Sequence, residues 1–253
     1  MPASADPPRV SVLMPCLNAA ETVARAVASV QAQTCADWEL IVADDGSEDD
    51  SAAVVATLAQ ADPRVILLPF PKGTPRGAAR ARNRALAAAR GRYIAFLDAD
   101  DLWLPDKLTH QLDLMERTGA LFACASYLVR KEGRPDTLRH PPAEIDRARL
   151  LRHNAIGCLT AIYDAKRLGK HPMPDIPLRH DYALWLHLLT LTDRAVSVAE
   201  PLAIHHRHSG SLSASGWRAT VGTWRMFRDT LGMGPLPAAA RVASHNLHRL
   251  LAG

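Results

Sequence analysis

Cysteine is sparse in this chain, and its four copies, Cys16, Cys35, Cys124 and Cys158, never fall in a C-x-x-C pair. That spacing excludes a zinc ribbon or dithiol redox motif and predicts buried, reduced thiols in a cytoplasmic protein. Aromatic residues make up only 5% of the 253 residues. No apolar run reaches the roughly 18 residues that suggest a spanning helix. The opening Met1-Pro2-Ala3-Ser4-Ala5-Asp6 has no apolar stretch behind it, so no secretory leader is expected. Dinucleotide (G-x-G-x-x-G) and Walker loops are missing, which argues against dinucleotide or ATP chemistry. Charge of one sign is also lacking. A formal net charge of +4 is only mildly basic, and no nucleic-acid partner is expected from it.

What the chain does have is a hydrophobic fraction of 48%, ample for one large α/β domain or two modest ones. Its most informative stretch is Tyr93-Ile94-Ala95-Phe96-Leu97-Asp98-Ala99-Asp100-Asp101. An apolar, β-rich run reads as a buried strand and ends in three carboxylates. Alternation along a strand places Asp98 and Asp100 on one face at its end. Concentrated negative charge there needs a compensating cation or donors. Paired carboxylate oxygens suit a hard divalent ion, Mg²⁺ or Mn²⁺, which shares its coordination with a substrate phosphate.

The first half alternates strand and helix patterns. Strands are predicted at Val10 to Met14, Glu39 to Ala43, Val65 to Leu68 and Tyr93 to Leu97. Helices are predicted from Val23, Val27 and Val30, over Ser51 to Leu58, and over Ala78 to Ala89. Asn18-Ala19-Ala20-Glu21 has the spacing of a capping box, and Ser47 or nearby acids are available to cap the second helix. Such alternation predicts a mostly parallel sheet, with ligands outside the carboxyl ends of its strands. Pro15 to Asn18, Asp44-Asp45 and Asp98 to Asp101 all lie at such ends. Farther on, Pro105-Asp106 opens a helix that Gly119 stops. A strand is expected over Ala120 to Val129, a loop over Arg130 to Pro142, a helix over Asp181 to Leu191 and a strand over Ala195 to Ile204. From Trp217 the pattern is helical, interrupted at Gly232 to Pro237.

Four segments in this order, Ser11-Val12-Leu13-Met14-Pro15-Cys16-Leu17-Asn18, Glu39 to Ser47, Ala81-Arg82-Asn83 and Phe96 to Asp101, resemble family 2 glycosyltransferases with the GT-A fold. The likeness spans roughly residues 9 to 115 and continues more faintly at His180-Asp181-Tyr182 and at Arg207 to Ser213. It implies a Rossmann-like mixed, mostly parallel sheet flanked by helices, with a helical C-terminal segment. It further implies residues 1–115 as a nucleotide-sugar-binding half, 116–215 as an acceptor-binding half of the same domain, and 216–253 as the C-terminal helices. The activity implied is transfer of a sugar from a nucleotide-diphosphate donor to a hydroxyl acceptor with inversion, in cell-envelope polysaccharide or glycoconjugate synthesis.

By the same resemblance Asp100 holds the Mn²⁺ or Mg²⁺, and Asp98 holds the nucleotide ribose or completes the metal shell. Asp45 reads the nucleobase, with Pro15 and Leu17 lining its pocket; many relatives carry an aromatic where Leu17 stands. Arg82 pairs with the donor phosphates. Helical spacing cannot aim Arg76, Arg80, Arg82 and Arg84 at one site, so most of these are expected in solvent. Inverting transfer needs a base at the acceptor hydroxyl, and Asp181 matches that position, with His180 preceding it instead of the family's Glu. His208 matches a position that completes metal coordination or touches the diphosphate. Each has a plainer structural reading: a capping aspartate at Asp45 and Asp181, a salt-bridged acid cluster at Asp98 to Asp101, a surface histidine at His208. The competing function is a degenerate, non-catalytic sugar-nucleotide-binding module. The basic C-terminal segment, with Arg241, His245, His248 and Arg249 among apolar residues, suits peripheral contact with an acidic membrane surface, or else packing as a surface helix or a dimer contact.

Overall fold

β-branched and apolar runs make strand interiors, and the first of these, β1 (Val10–Cys16), is buried along almost its whole length. A computed structural model describes residues 6–207 and 216–251. In it β1 lies between β2 (Trp38–Asp44) and β4 (Tyr93–Phe96), with β3 (Val65–Leu68) outside β2, and all four strands are parallel. Helices α1 (Val23–Gln31), α2 (Ser51–Ala61) and α3 (Ala78–Ala88) carry the chain back between them. This is the βαβ arrangement that the alternating pattern predicts.

The second half extends the same sheet. After β5 (Leu102–Trp103) and α4 (Lys107–Thr118) come β6 (Phe122–Arg130), β7 (Thr137–Arg139), β8 (Glu144–Ile145) and α5 (Arg147–Leu150). Then follow β9 (Ile162–Asp164), α6 (Ala165–Leu168), α7 (His180–Leu188) and β10 (Ala195–His206). The order is β3-β2-β1-β4-β9-β6-β10-β5, with β7 on β6 and β8 on β10. β9 runs antiparallel to both β4 and β6, so this three-residue strand joins the two halves into one ladder. The chain closes with α8 (Gly216–Arg225), a π-helical turn at Met226–Thr230 and α9 (Pro235–Leu251). Proline at the first position of α9 sacrifices no helical hydrogen bond.

Strand alternation divides the core into two layers. Leu13, Ile41, Ile94 and Phe96 face a layer containing α3, α7 and the Met226–Phe227 turn. Val12, Val42, Ala95 and Leu97 face the layer of α1, α2 and α4. The scarce aromatics concentrate on the first side. Trp185 of α7 packs edge-on to Phe96 at 5.2 Å and against Phe122 at 5.4 Å, and Tyr163 stacks on Phe96 at 6.3 Å. These rings join β4, β6 and β9 to α7.

Several local expectations change. Asn18 and Glu21 form no capping box: α1 begins only at Val23, with Thr22 at its cap. Asn18 takes a left-handed conformation (φ 48°) and its Oδ1 accepts from Glu48 N–H at 2.9 Å, tying the end of β1 to the loop after β2. Ser47 Oγ likewise accepts from Asn18 N–H at 3.0 Å and caps no helix. The 130–142 segment contains β7, paired antiparallel with β6. Helix α7 stops at Leu188, after which Thr190 and Leu191 N–H groups make tighter i−3 bonds. Of the four free cysteines, Cys16 and Cys124 are buried, whereas Cys35 and Cys158 are partly exposed.

Candidate active site

β4 ends at Phe96, so Asp98 and Asp100 do not emerge by strand alternation. They sit on a turn instead, closed by Asp101 N–H donating to Asp98 C=O at 3.1 Å. Asp98 and Asp100 are half-buried and Asp101 is buried. The three acids are therefore differently engaged. Asp101 accepts from His205 Nδ1–H at 3.1 Å and from His206 N–H at 2.9 Å, which clamps the end of β10 onto the turn. Burial pushes the Asp101 carboxyl up to about 6, against the lowering influence of His205 and with Asp98 and Asp100 adding to the rise. Burial alone would depress the His205 imidazole, but its bond to Asp101 raises it above 6.5.

Asp98 is held by Arg82. The guanidinium of this buried residue, on α3, donates to Asp98 through Nη2 and to His180 Nε2 through Nη1 at 2.8 Å. An arginine only donates, so His180 Nε2 must be the acceptor and the ring proton sits on Nδ1. That proton faces the Ile176 carbonyl at 3.3 Å. Burial, then the Arg82 charge, lowers the His180 pKa and keeps the ring neutral. Arg82 stays cationic despite its burial because Asp98 stabilises its charge. This cation spans the acid turn and the start of α7.

Asp181 lies in the first turn of α7, where the helix N-terminus favours a carboxylate. It makes no hydrogen bond among the described residues, and its charge acts on Arg82, His180 and Tyr127. The half-buried Cys158 lies in the same field: desolvation pushes its thiol well above the usual range, with Asp98, Asp181 and Asp101 adding to the rise and Arg82 opposing it. Gly157 beside it is required because a Cβ there would come within 2.7 Å of the Tyr127 ring.

Asp45 stands at the carboxyl end of β2, with β1 between it and β4. Its carboxylate accepts from the backbone N–H groups of Arg76 (3.1 Å) and Gly77 (2.7 Å), at the entry to α3. Asp44 folds back onto Gly46 and Ser47 N–H groups, a turn that Gly46 permits with φ 88°. Pro15 is half-buried near the end of β1, and Leu17 is 43% exposed just beyond it. The arginine expectation holds for two of four. Arg76 and Arg80 are exposed. Arg84 instead donates to the carbonyls of Asp44 (2.8 Å) and Pro69 (2.6 Å), fastening the strand ends, and Arg82 is buried in the site. His208 lies outside the described residues.

The structure thus gathers Asp98, Arg82, His180 and Asp181 around one centre, with Asp100 on the same turn as Asp98. Pro15, Leu17 and Asp45 lie at adjacent strand ends. The sequence reading passed over Asp101, Cys158 and Tyr127. Asp101 was visible as the third acid of the run, but its partner His205 is 104 residues away, and no local pattern announces that contact. Among the described residues no cluster of three or more His, Cys, Asp or Glu is arranged to hold a metal.

Known structures share this architecture. The chain superposes on Staphylococcus aureus TarS residues 1–349, solved with UDP-GlcNAc, with a TM-score of 0.71 at 16% identity, covering 93% of this chain and 70% of that one. It also superposes on the mannosyltransferase PcManGT of Pyrobaculum calidifontis, solved with GDP-Man and Mn²⁺, with a TM-score of 0.63 at 20% identity, covering 96% and 72%. The fold is that of the GT-A glycosyltransferases. The model of Glycosyl transferase family 2 matches residues 11–167, and the chain belongs to that family. Similar curated proteins include TuaG of Bacillus subtilis, named as a teichuronic acid biosynthesis glycosyltransferase, 37% identical over 88% of each chain. Another is WfgD of Escherichia coli, a UDP-Glc:α-D-GlcNAc-diphosphoundecaprenol β-1,3-glucosyltransferase, 38% identical over 87% of this chain and 85% of its own.

Proposed function

We propose that this glycosyltransferase is metal-dependent and inverting, and moves a sugar from a nucleotide-diphosphate donor to the hydroxyl of a lipid-linked acceptor in cell-envelope polysaccharide synthesis. The observation that carries the reading is the Arg82 bridge, which joins the acid turn of residues 1–115 to the first turn of α7 in residues 116–215. We assign the first segment to the donor, the second to the acceptor, and 216–253 to support. The envelope assignment draws on the names of TuaG and WfgD, and a nucleotide-sugar donor draws on the ligands named for TarS and PcManGT.

In this reading Pro15 and Leu17 give the nucleobase an apolar wall. Asp45, anchored by two backbone N–H groups, accepts from a base N–H with its remaining lone pairs. Asp98 and Asp100 offer carboxylate oxygens, the donor type that Mn²⁺ or Mg²⁺ takes. One Asp98 oxygen serves Arg82, so Asp100 and the other Asp98 oxygen would hold the ion. When bound, the ion neutralises charge that develops on the leaving diphosphate. Arg82 holds Asp98 and faces the same leaving group as a fixed cation. Asp181, without a hydrogen-bond partner among the described residues, takes the proton of the acceptor hydroxyl as that oxygen attacks the anomeric carbon and the diphosphate leaves. His180, neutral and pinned through both ring nitrogens, fixes the start of α7 and does not compete for that proton. A cytoplasmic enzyme at the inner membrane face fits this chemistry, and among the described residues no helix is long and apolar enough to cross a membrane.

The test is thermal stability with UDP-, GDP- and dTDP-sugars, each with and without Mn²⁺. Specific binding raises the apparent midpoint by mass action. One nucleotide class should stabilise the protein, and only with the ion. No shift with any of them, or equal shifts without the ion, contradicts the reading.

A further inference from the structure

Residues 216–251 hold Arg218, Arg225, Arg228, Arg241 and Arg249 against a single acid, Asp229. The rest of the chain carries 25 residues of each sign. The whole net charge of +4 therefore belongs to the C-terminal helices. Helix α9 has a clear inner face: Ala238 and His245 are buried, Val242 packs on the core, and the His245 ring lies 6.0 Å from Tyr182. Its outer face is unusual. Leu236, Ala239, Ala240, Ala243 and Leu247 recur at helical spacing and are all exposed, Leu236 at 83% and Leu247 at 55%. A helix on a water-facing surface ordinarily carries polar residues there. Trp217 on α8 is 76% exposed as well. One turn along, Thr220 hydrogen-bonds Asn246 at 3.3 Å, which brings the Trp217 end of α8 to the Leu247 end of α9.

We propose that the α8–α9 hairpin docks on an acidic phospholipid bilayer, with Trp217, Leu236 and Leu247 entering the headgroup–acyl boundary and the exposed Arg218 and Arg225 meeting lipid phosphates. An apolar stripe with a basic flank is the pattern of a helix lying in a membrane interface. A second copy seated on the same stripe would oppose two surfaces that each carry all of a chain's excess positive charge. The hairpin also reaches the site. Arg179, at the cap of α7, donates through Nε to Thr223 of α8 at 3.1 Å, and a Cβ on Gly222 would meet Leu178 at 2.9 Å. The helices that face the bilayer thus brace the turn that holds His180 and Asp181. A hydroxyl carried on a lipid arrives on that side; this part rests on the proposed function.

Flotation of the full chain with vesicles tests the docking. With equal phosphatidylglycerol and phosphatidylcholine the chain should float, and with phosphatidylcholine alone it should not. High salt should weaken flotation. L236S/L247S should bind acidic vesicles at least about tenfold more weakly while keeping the wild-type melting midpoint and its shift with UDP and Mn²⁺. W217S should weaken binding too. Failure to float, equal binding to neutral vesicles, unchanged flotation of L236S/L247S, or a dimer in sedimentation that the double substitution dissolves would each overturn the proposal. The vesicles hold neither donor nor acceptor. A failed flotation therefore leaves the transferase reading standing, and a failed donor shift leaves this one standing.

Discussion

Arg82 carries more of the site than any other single residue. It is buried, charged and bonded on one side to Asp98, on the other to His180. Removing the cation leaves Asp98 and the His180 Nε2 without their donor. Arg82→Met should lower stability by about 2–3 kcal/mol, less than for a fully buried pair because Asp98 is partly in solvent; a urea melt measures it. Arg82→Lys should restore little, since an ammonium cannot span both partners. Asp181→Asn should lower turnover by roughly 10²- to 10⁴-fold with UDP affinity unchanged, and full turnover in that variant would remove the base assignment. His205 offers a pH test. Its folded value is raised, so its contribution to stability is complete below 6.5 and disappears as pH climbs through the raised value. Asp101, raised to about 6, works in the same direction from its ordinary value upward. In Asp101→Asn the ring loses its bonded carboxylate, leaving burial opposed only by the Asp98 and Asp100 charges, and NMR titration should place the His205 imidazole below its wild-type position.

At the scale of elements, the site depends on strand ends being fixed without side chains to spare. Gly91 lies where a Cβ would sit 2.5 Å from Ser11 N, so α3 and β4 can follow one another only with glycine there. Gly91→Ala should cost at least about 2 kcal/mol, read as a lowered denaturation midpoint. The long elements were legible in the sequence, because Val10 to Met14, Val23 to Val30 and Tyr93 to Leu97 carry enough apolar residues for their period to show. The two-residue β5 and three-residue β9 were not, since neither is long enough for alternation to repeat and stand out. The acid run was rightly placed at a strand end but for a wrong reason: a turn, not alternation, presents Asp98 and Asp100. Asn18 misled in a similar way. Its spacing to Glu21 fits a capping box, but its side chain is spent on Glu48 across the neighbouring loop.

For the molecule as a whole, one sheet joins the two halves of the chain through β9, and the few aromatics pack at the junction. Phe96 of β4 and Trp185 of α7 touch across it, each within four residues of Asp98 or Asp181 in the chain. The order of motifs in the first half made the fold legible. The contacts that assemble the site, Arg82 with His180 and Asp101 with His205, link residues 98 and 104 positions apart and were not. The most direct test of the central claim is a crystal structure of the protein soaked with UDP and Mn²⁺. The ion should lie between the diphosphate and the Asp98–Asp100 turn, with the base against Pro15, Leu17 and Asp45. A diphosphate bound elsewhere, with Arg82 still closed on Asp98 and no ion on the turn, would contradict it.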